Sequence, residues 1–483
     1  MAGAINMTPG NYKNQQGFPV HLLSVRPRPG LPGRYARGAL ALAVVVAAAL
    51  LALPRTASAV PSFARQTGMP CSQCHTLSFG PALTPYGRQF KLNGYTFGEG
   101  DHPMPIAFMV QGGYSRTDTP PPDPLATHFS TNNNLSVDQV SVFLATRLTE
   151  HIGIFSQSTY SGEDRHFSWD NTDIRYARPL KLFGTDAVVG ISLNNNPTVQ
   201  DLWHSSPAWA YPYISSPLVP GIGAAPIIGG LGGVVAGATA YTMIHDHVYL
   251  EAGAYKGLSD RWLGNVGLYP DNNIHMNGAA PYWRAAYQFT TGARGEHYFS
   301  VGTFGMDVKL QPDATVPDTD HYTDVALDAT YQYTPAGPGA ILVNASLIHE
   351  KQQLNATFNA GGSDNATNHL NALEIDASYA YRQTWSAGVG LFDTSGGRDA
   401  TFFGPSPFSG SNNGSPDTRG FTMQFECVPL GKLQSWGRPW VNLRVGLQYT
   451  AYLRFNGGTS NYDGFGRSAS QNNSLFLFSW MAF

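Results

Sequence analysis

From about residue 106 to its end the chain alternates apolar and polar positions with a period of two, the spacing of a strand with one face unlike the other. In Ile106–Ser115, Ile106, Phe108, Val110 and Tyr114 share one face, and Ala107, Met109, Gln111, Gly113 and Ser115 the other. Segment 324–333 repeats the design, with Val325, Leu327, Ala329, Tyr331 and Tyr333 set against Asp324, Asp328, Thr330 and Gln332. Leu373, Ile375, Ala377, Tyr379 and Tyr381 alternate in the same way with Glu374, Asp376, Ser378 and Ala380. An apolar face opposite a face that carries acids is the repeat of a transmembrane barrel, with lipid outside and a polar lumen within. A soluble β-sandwich also alternates. The barrel is favoured because alternation reaches almost to the end of the chain and aromatics cluster near strand ends. The last segment, Ser474–Phe483, is also rich in Leu, Phe and Trp and closes on phenylalanine. The residues available predict an antiparallel barrel of about sixteen strands.

Within that barrel, Leu135–Thr149 is expected to pair with Ile152–Ser161, and Asn371–Tyr381 with Trp385–Phe392. The Pro- and Gly-rich stretches Pro197–Gly233, Gly361–Asn368 and Gly404–Asp417 read as external loops. The first carries Trp203, His204, Trp209, Tyr211 and Tyr213, and is long enough to cover the mouth or enter the lumen.

Before residue 104 the texture is different. Arg34 and Arg37, the apolar run 38–53 and the small-residue site Ala57-Ser58-Ala59 have the form of an export signal. This makes 1–59 a leader and sets the mature start near Val60. The polar stretch 1–33 is unusual for a leader, and suits either a start codon assigned too early or a leader that is simply long. Residues 60–103 predict a small helical unit. Ser62 can cap a turn that stops at Gly68, and Thr84-Pro85 starts a helix that runs through Phe90 and Leu92 to Asn93-Gly94. The mainly β part, 104–483, is the barrel.

Composition sharpens this picture. Charged residues are only 13% of the 483, yet no later run is long and apolar enough for a membrane helix, so the apolar surface must be spread over strands. A net charge of −3, with no basic stretch interleaved with aromatics, gives no sign of nucleic-acid binding. Of three cysteines two lie in one motif, which leaves Cys427 alone, without a disulfide framework and expected to be buried and inert.

That motif is Cys71-Ser72-Gln73-Cys74-His75, directly downstream of the export signal. The C-x-x-C-H spacing lets two thiols reach the two vinyl groups of one haem while the adjacent imidazole meets the iron. Zinc would need further Cys or His ligands at matching spacing. The sequence therefore predicts one covalent haem c on Cys71 and Cys74, with His75 as the proximal iron ligand. For the sixth ligand the nearby residues are Met69, His102, Met104 and Met109. Met109 is preferred because its parity turns it into the lumen among small residues, with Met104 and His102 as alternatives. Arg65, Arg88 and Lys91 suit either the haem propionates or a solvated helix face. His245-Asp246-His247 looks like a metal pair, but alternate strand residues point apart, so these are expected as loop histidines. Asp328, Glu374 and Asp376 would make the lumen acidic and attractive to cations.

The segments Val60–Gly68, Cys71–His75 and Leu83–Tyr95 (LTPYGRQFKLNGY) resemble the fused monohaem cytochrome–porins of iron-oxidising bacteria. That family pairs a FARQTG segment, one C-x-x-C-H and an LTPxGRxFKLxGYT segment with an outer-membrane barrel of similar size. The quoted motifs cover about the first forty mature residues; the barrel matches in type only. The resemblance implies a haem unit inside or at the mouth of a bacterial outer-membrane barrel. It would take electrons from extracellular Fe(II), or another outer-surface donor, and pass them to a periplasmic carrier, a cytochrome c or a copper protein. The corresponding activity is an Fe(II):cytochrome c oxidoreductase. Two other readings compete: a porin whose haem is a structural or sensing plug, and a periplasmic haem protein with a β-sandwich domain.

Overall fold

The computed structural model describes residues 62–98, 104–268, 275–313 and 317–483. The expected signal peptide and the candidate ligand His102 lie outside them. Strand β1 (Ile106–Thr117) pairs antiparallel with both β2 (Asn134–Arg147) and the last strand, β17 (Ser474–Ala482), so the sheet closes on itself. All strand pairs are antiparallel, and the two-residue strand β8 (His275–Met276) extends the line of β9 (Ala280–Thr291) along β10 (His297–Gln311). Sixteen staves therefore form one closed barrel, which excludes the β-sandwich alternative. Both expected hairpins are present: β2 pairs with β3 (Ile152–Ser161), and β13 (Thr367–Tyr381) pairs with β14 (Trp385–Gly396).

Side-chain parity follows the sequence pattern. On β1, Ile106 and Phe108 face outward and Ala107, Met109 and Gln111 are buried inward. On β11 (Asp320–Tyr333), Val325 and Leu327 are exposed while Asp324, Asp328, Thr330 and Gln332 are buried in the lumen. The outward face carries an aromatic band near one rim, in which Phe289, Phe299 and Tyr331 pack at 5.1 and 4.8 Å and Trp385 stacks on Phe425. Such a band marks a membrane–water boundary. Phe483 stacks on Phe108 at 5.7 Å and exchanges backbone hydrogen bonds with it, which extends the closing seam to the last residue.

The two rims differ. One has mostly tight connections, such as 183–184, 245–247 and 382–384; the other has long ones, including 195–234, 397–417 and 455–473. In bacterial barrels short turns face the periplasm and long loops the exterior. The N-terminal unit enters from the short-turn rim. Ser78 Oγ donates to the Gln383 carbonyl, Ser72 N to that of Gly431, and Arg147 to that of Gly98. From the opposite rim, 195–234 folds inward rather than over the mouth. Its short helix, Ile227–Gly230, is anchored to the wall because Asp324 and Glu350 accept its first amide protons. His245 and Asp246 are exposed in a turn, as expected of loop residues, and Cys427 is half-buried rather than buried.

Candidate functional site

The site is assembled by three short helices. Helix α1 (Ser62–Thr67) is held by Gln66, whose amide donates to the carbonyls of Tyr95 and Phe97. Helix α2 (Cys71–Cys74) carries both thiols, and His75 follows in extended backbone. Helix α3 (Pro85–Leu92) starts as its sequence predicts: Thr84 Oγ accepts from Gly87 N, Pro85 takes the first helical position, and Gly94 ends the turn at φ +70°. Gly87 lies flush against the motif, where a Cβ would stand 2.3 Å from the Cys74 carbonyl oxygen. An alanine there would push α3 off the thiol-bearing turn.

The loop after His75 is pinned to the wall. Gly80 holds φ +103°, and a Cβ there would also meet Arg444 Nη1 at 2.1 Å, so a larger residue would strain the backbone and displace the arginine. Arg444 is in turn ion-paired with Glu426 and lies over the Trp480 ring. Phe79 packs 5.0 Å from Trp480. His75 is enclosed by protein yet keeps some accessible surface. Burial first, and then Arg444, holds the imidazole neutral by lowering its pKa to about 4. Its Nδ1 is buried without a hydrogen-bond partner. Burial raises the Cys71 thiol to about 11 and, together with the neighbouring Cys71, raises Cys74 to about 12; both are free thiols. This donor set fits a covalently held haem: two free thiols at the ends of one four-residue helix, beside a neutral imidazole with an orphaned nitrogen.

Lys91 and Arg88 are buried and do not form a solvated helix face. Arg88 is buried, donates to the Leu83 carbonyl and to Gln332 Oε1 across the lumen, and stacks 3.8 Å from the Tyr298 ring centre. Lys91 Nζ donates to the Val199 carbonyl at 2.7 Å and meets His204 Nε2 at 2.8 Å. Arg65 caps the carbonyls of Met104 and Ile106 and lies over Trp440. All three fasten the unit to the barrel.

Among the candidate iron ligands, Met109 is 5% exposed and turned into the lumen. It packs with Phe476, Phe478 and Trp480, and with the partly buried Phe79 of the post-motif loop. Met104 and Met69 are exposed at 49% and 37%. Nothing in the sequence pattern marks His204 for a role, beyond its place in a loop long enough to enter the lumen. The structure sets its ring against the post-motif loop, where Nδ1 bonds the Pro81 carbonyl at 2.6 Å. A carbonyl only accepts, so Nδ1 carries the proton and Nε2 the lone pair that receives Lys91. The ring stacks on Trp209 at 4.1 Å, and His204 holds a left-handed backbone at φ +56°, a conformation rare outside glycine.

Arg175 is the second residue the sequence passed over. Fully buried on β4 (His166–Leu182), it pairs with Asp173 at 2.7 Å, donates to the Lys91 carbonyl and donates to the Gln200 carbonyl. Tyr95 completes the knot by donating to Asp173. One guanidinium thus joins the N-terminal unit, the wall and the infolded loop. An inward arginine at strand parity was the only signal for it. The lumen acids separate in role. Asp328 is bound by Arg284 and Ser205, which removes it from the expected cation-attracting set, whereas Glu374 and Asp376 form no ion pair among the described residues.

No protein-family model matches this chain, and no curated protein sequence does either. Solved structures that it resembles include OmpF of Salmonella typhi in complex with daunomycin, at 12% identity and TM-score 0.45, covering 78% of this chain and 97% of that one. The outer-membrane channel DcaP of Acinetobacter baumannii aligns at 11% identity and TM-score 0.42, covering 78% and 96%. An anion-selective porin from Comamonas acidovorans aligns at 11% and 0.42, covering 78% and 98%.

Proposed function

We propose that this chain is an outer-membrane cytochrome–porin that carries electrons from an outer-surface donor, Fe(II) first among them, to a periplasmic carrier. One juxtaposition supports the reading. The C-x-x-C-H turn is fastened to short turns at one rim of a closed barrel, and the loop that follows it is touched by a loop folded in from the other rim. A haem held by Cys71, Cys74 and His75 would accept and pass on one electron, the number that Fe(II) gives up. The chain's own residues insulate the path. The sixteen staves separate it from lipid, Arg88, Lys91 and Arg175 hold the plug rigid, and the infolded loop narrows access from outside.

Met109 is the proposed sixth ligand, since it shares a cluster with Phe79 of the post-motif loop. Met109→Ala is expected to abolish the optical signature of methionine ligation and to lower the midpoint potential, because thioether ligation favours the reduced state. An unchanged spectrum would move the assignment to Met104 or His102.

Anaerobic stopped-flow mixing of the oxidised, detergent-solubilised protein with Fe(II) tests the donor. The expected result is haem reduction faster than that of a soluble monohaem cytochrome of equal potential. Equal or slower reduction would leave the plug reading, in which the haem is structural or sensing.

A further inference from the structure

We propose that the lumen contains a weak, oxygen-lined site for a hard divalent cation, in the cavity between Glu374, Asp376, Ser346 and Tyr211. The proposal deepens the electron-transfer reading above and rests on it for its purpose, though not for its geometry. The cavity lies between β12 (Gly339–Gln353), β13 and the infolded loop, and His204 forms part of its wall. Glu374 and Asp376 are two apart on one strand and so face the same way. Among the described residues neither has a basic partner, and Asp376 accepts only one long hydrogen bond, at 3.4 Å from Asn344. Glu374 keeps accessible surface although it faces the barrel interior, so it lines open space rather than packed protein.

Two further oxygens point to a ligand. Ser346 is 9% exposed and its hydroxyl has no hydrogen-bond partner. The buried Tyr211 hydroxyl also has none. A buried polar atom left unsatisfied is uncommon and calls for an ion or a water to complete it. Most other lumen acids have a cation or backbone amides against them, while Glu251 and Asp138 each accept from a hydroxyl instead, of Tyr249 and Ser136. Arg284 holds Asp201 and Asp328, Arg175 holds Asp173, Arg444 holds Glu426, and backbone amides cap Asp324 and Glu350.

The donor chemistry sets the class of ligand. Both His204 nitrogens are already engaged, so the imidazole does not contribute. Carboxylate and hydroxyl oxygens suit Mg²⁺, Mn²⁺ or Fe²⁺ in a partly hydrated state rather than a soft or tightly caged ion. Consistent with this, no three His, Cys, Asp or Glu side chains among the described residues are grouped to hold a metal. Two carboxylates acting partly through water give a waiting place next to the loop that follows His75, one contact away through His204 and Pro81.

Mn²⁺, which the haem does not oxidise under anaerobic conditions, is the probe. Titration of the purified full-length holoprotein, followed by the loss of the free-ion electron paramagnetic resonance signal, should show one saturable site. Glu374→Gln with Asp376→Asn should weaken it at least tenfold, Ser346→Ala severalfold, and the rim variant Asp186→Asn not at all. Each variant is first checked for heat-modifiable migration and retained haem stain, which excludes misfolding. Absence of saturable binding in the wild type, or equal binding by the double variant, would overturn the site. If Mn²⁺ binds as described but Fe(II) does not reduce the haem, the site stands and the electron-donor reading fails. If the double variant loses Mn²⁺ binding and Fe(II) still reduces it at the wild-type rate at low Fe(II), the waiting-place role is overturned while the donor reading survives.

Discussion

Replacing both Cys71 and Cys74 by serine is expected to remove all covalently bound haem while the barrel still folds. The two thiols lie on a four-residue helix whose position is fixed by contacts that do not involve sulfur. Ser72 N bonds the Gly431 carbonyl, and Thr84 bonds the carbonyls of Cys74 and Gln73. The plug therefore has independent reasons to stay seated, and the barrel's hydrogen-bonded ring includes neither cysteine. After denaturing electrophoresis the wild-type band should keep haem-linked peroxidase activity and the double variant should lose it completely. Its heat-modifiable migration should persist. A wild-type band that loses its haem on denaturation would refute covalent attachment.

Arg175→Met is expected to be the most damaging single change away from the motif. Arg175 and Asp173 are both inaccessible to solvent, and the guanidinium also satisfies two carbonyls from different segments. Removing one partner of a buried ion pair strands the other charge, which typically costs about 3–5 kcal/mol. Here the loss also releases α3 and the infolded loop from their shared anchor. Urea unfolding followed by tryptophan fluorescence should show the midpoint fall, and limited proteolysis should cut the N-terminal unit earlier than in the wild type. Adding Asp173→Asn to Arg175→Met should recover part of the loss, since no unpaired carboxylate then remains. A double variant no better than the single would mean that the carbonyl contacts, not the charge pair, carry the energy.

Much of this architecture was legible before any coordinates. Period-two alternation over residues such as Leu373–Tyr381 is enough to tell lipid face from lumen, because a one-residue slip would turn every apolar side chain inward. The α3 start at Thr84-Pro85 was equally plain, since capping chemistry is local. What escaped the sequence depends on partners far apart along the chain. Lys91 reads as a surface lysine until Val199 and His204 fold in to meet it, 108 and 113 residues later. Asp328 reads as a free lumen acid until Arg284 occupies it. The direction taken by 195–234 is set by Asp324 on β11 and Glu350 on β12, which no local pattern reveals. Position in the ring, not residue type, made these residues part of the site.

The most direct test of the whole account places the protein in lipid vesicles that enclose oxidised soluble cytochrome c, with Fe(II) added outside under anaerobic conditions. A haem-bearing plug inside a closed barrel predicts reduction of the enclosed cytochrome with the wild-type protein. It also predicts little reduction with the Cys71→Ser/Cys74→Ser barrel. Equal reduction with both proteins would show that Fe(II) merely leaks through the pore, and no reduction with either would show that no electron crosses; each result contradicts the account.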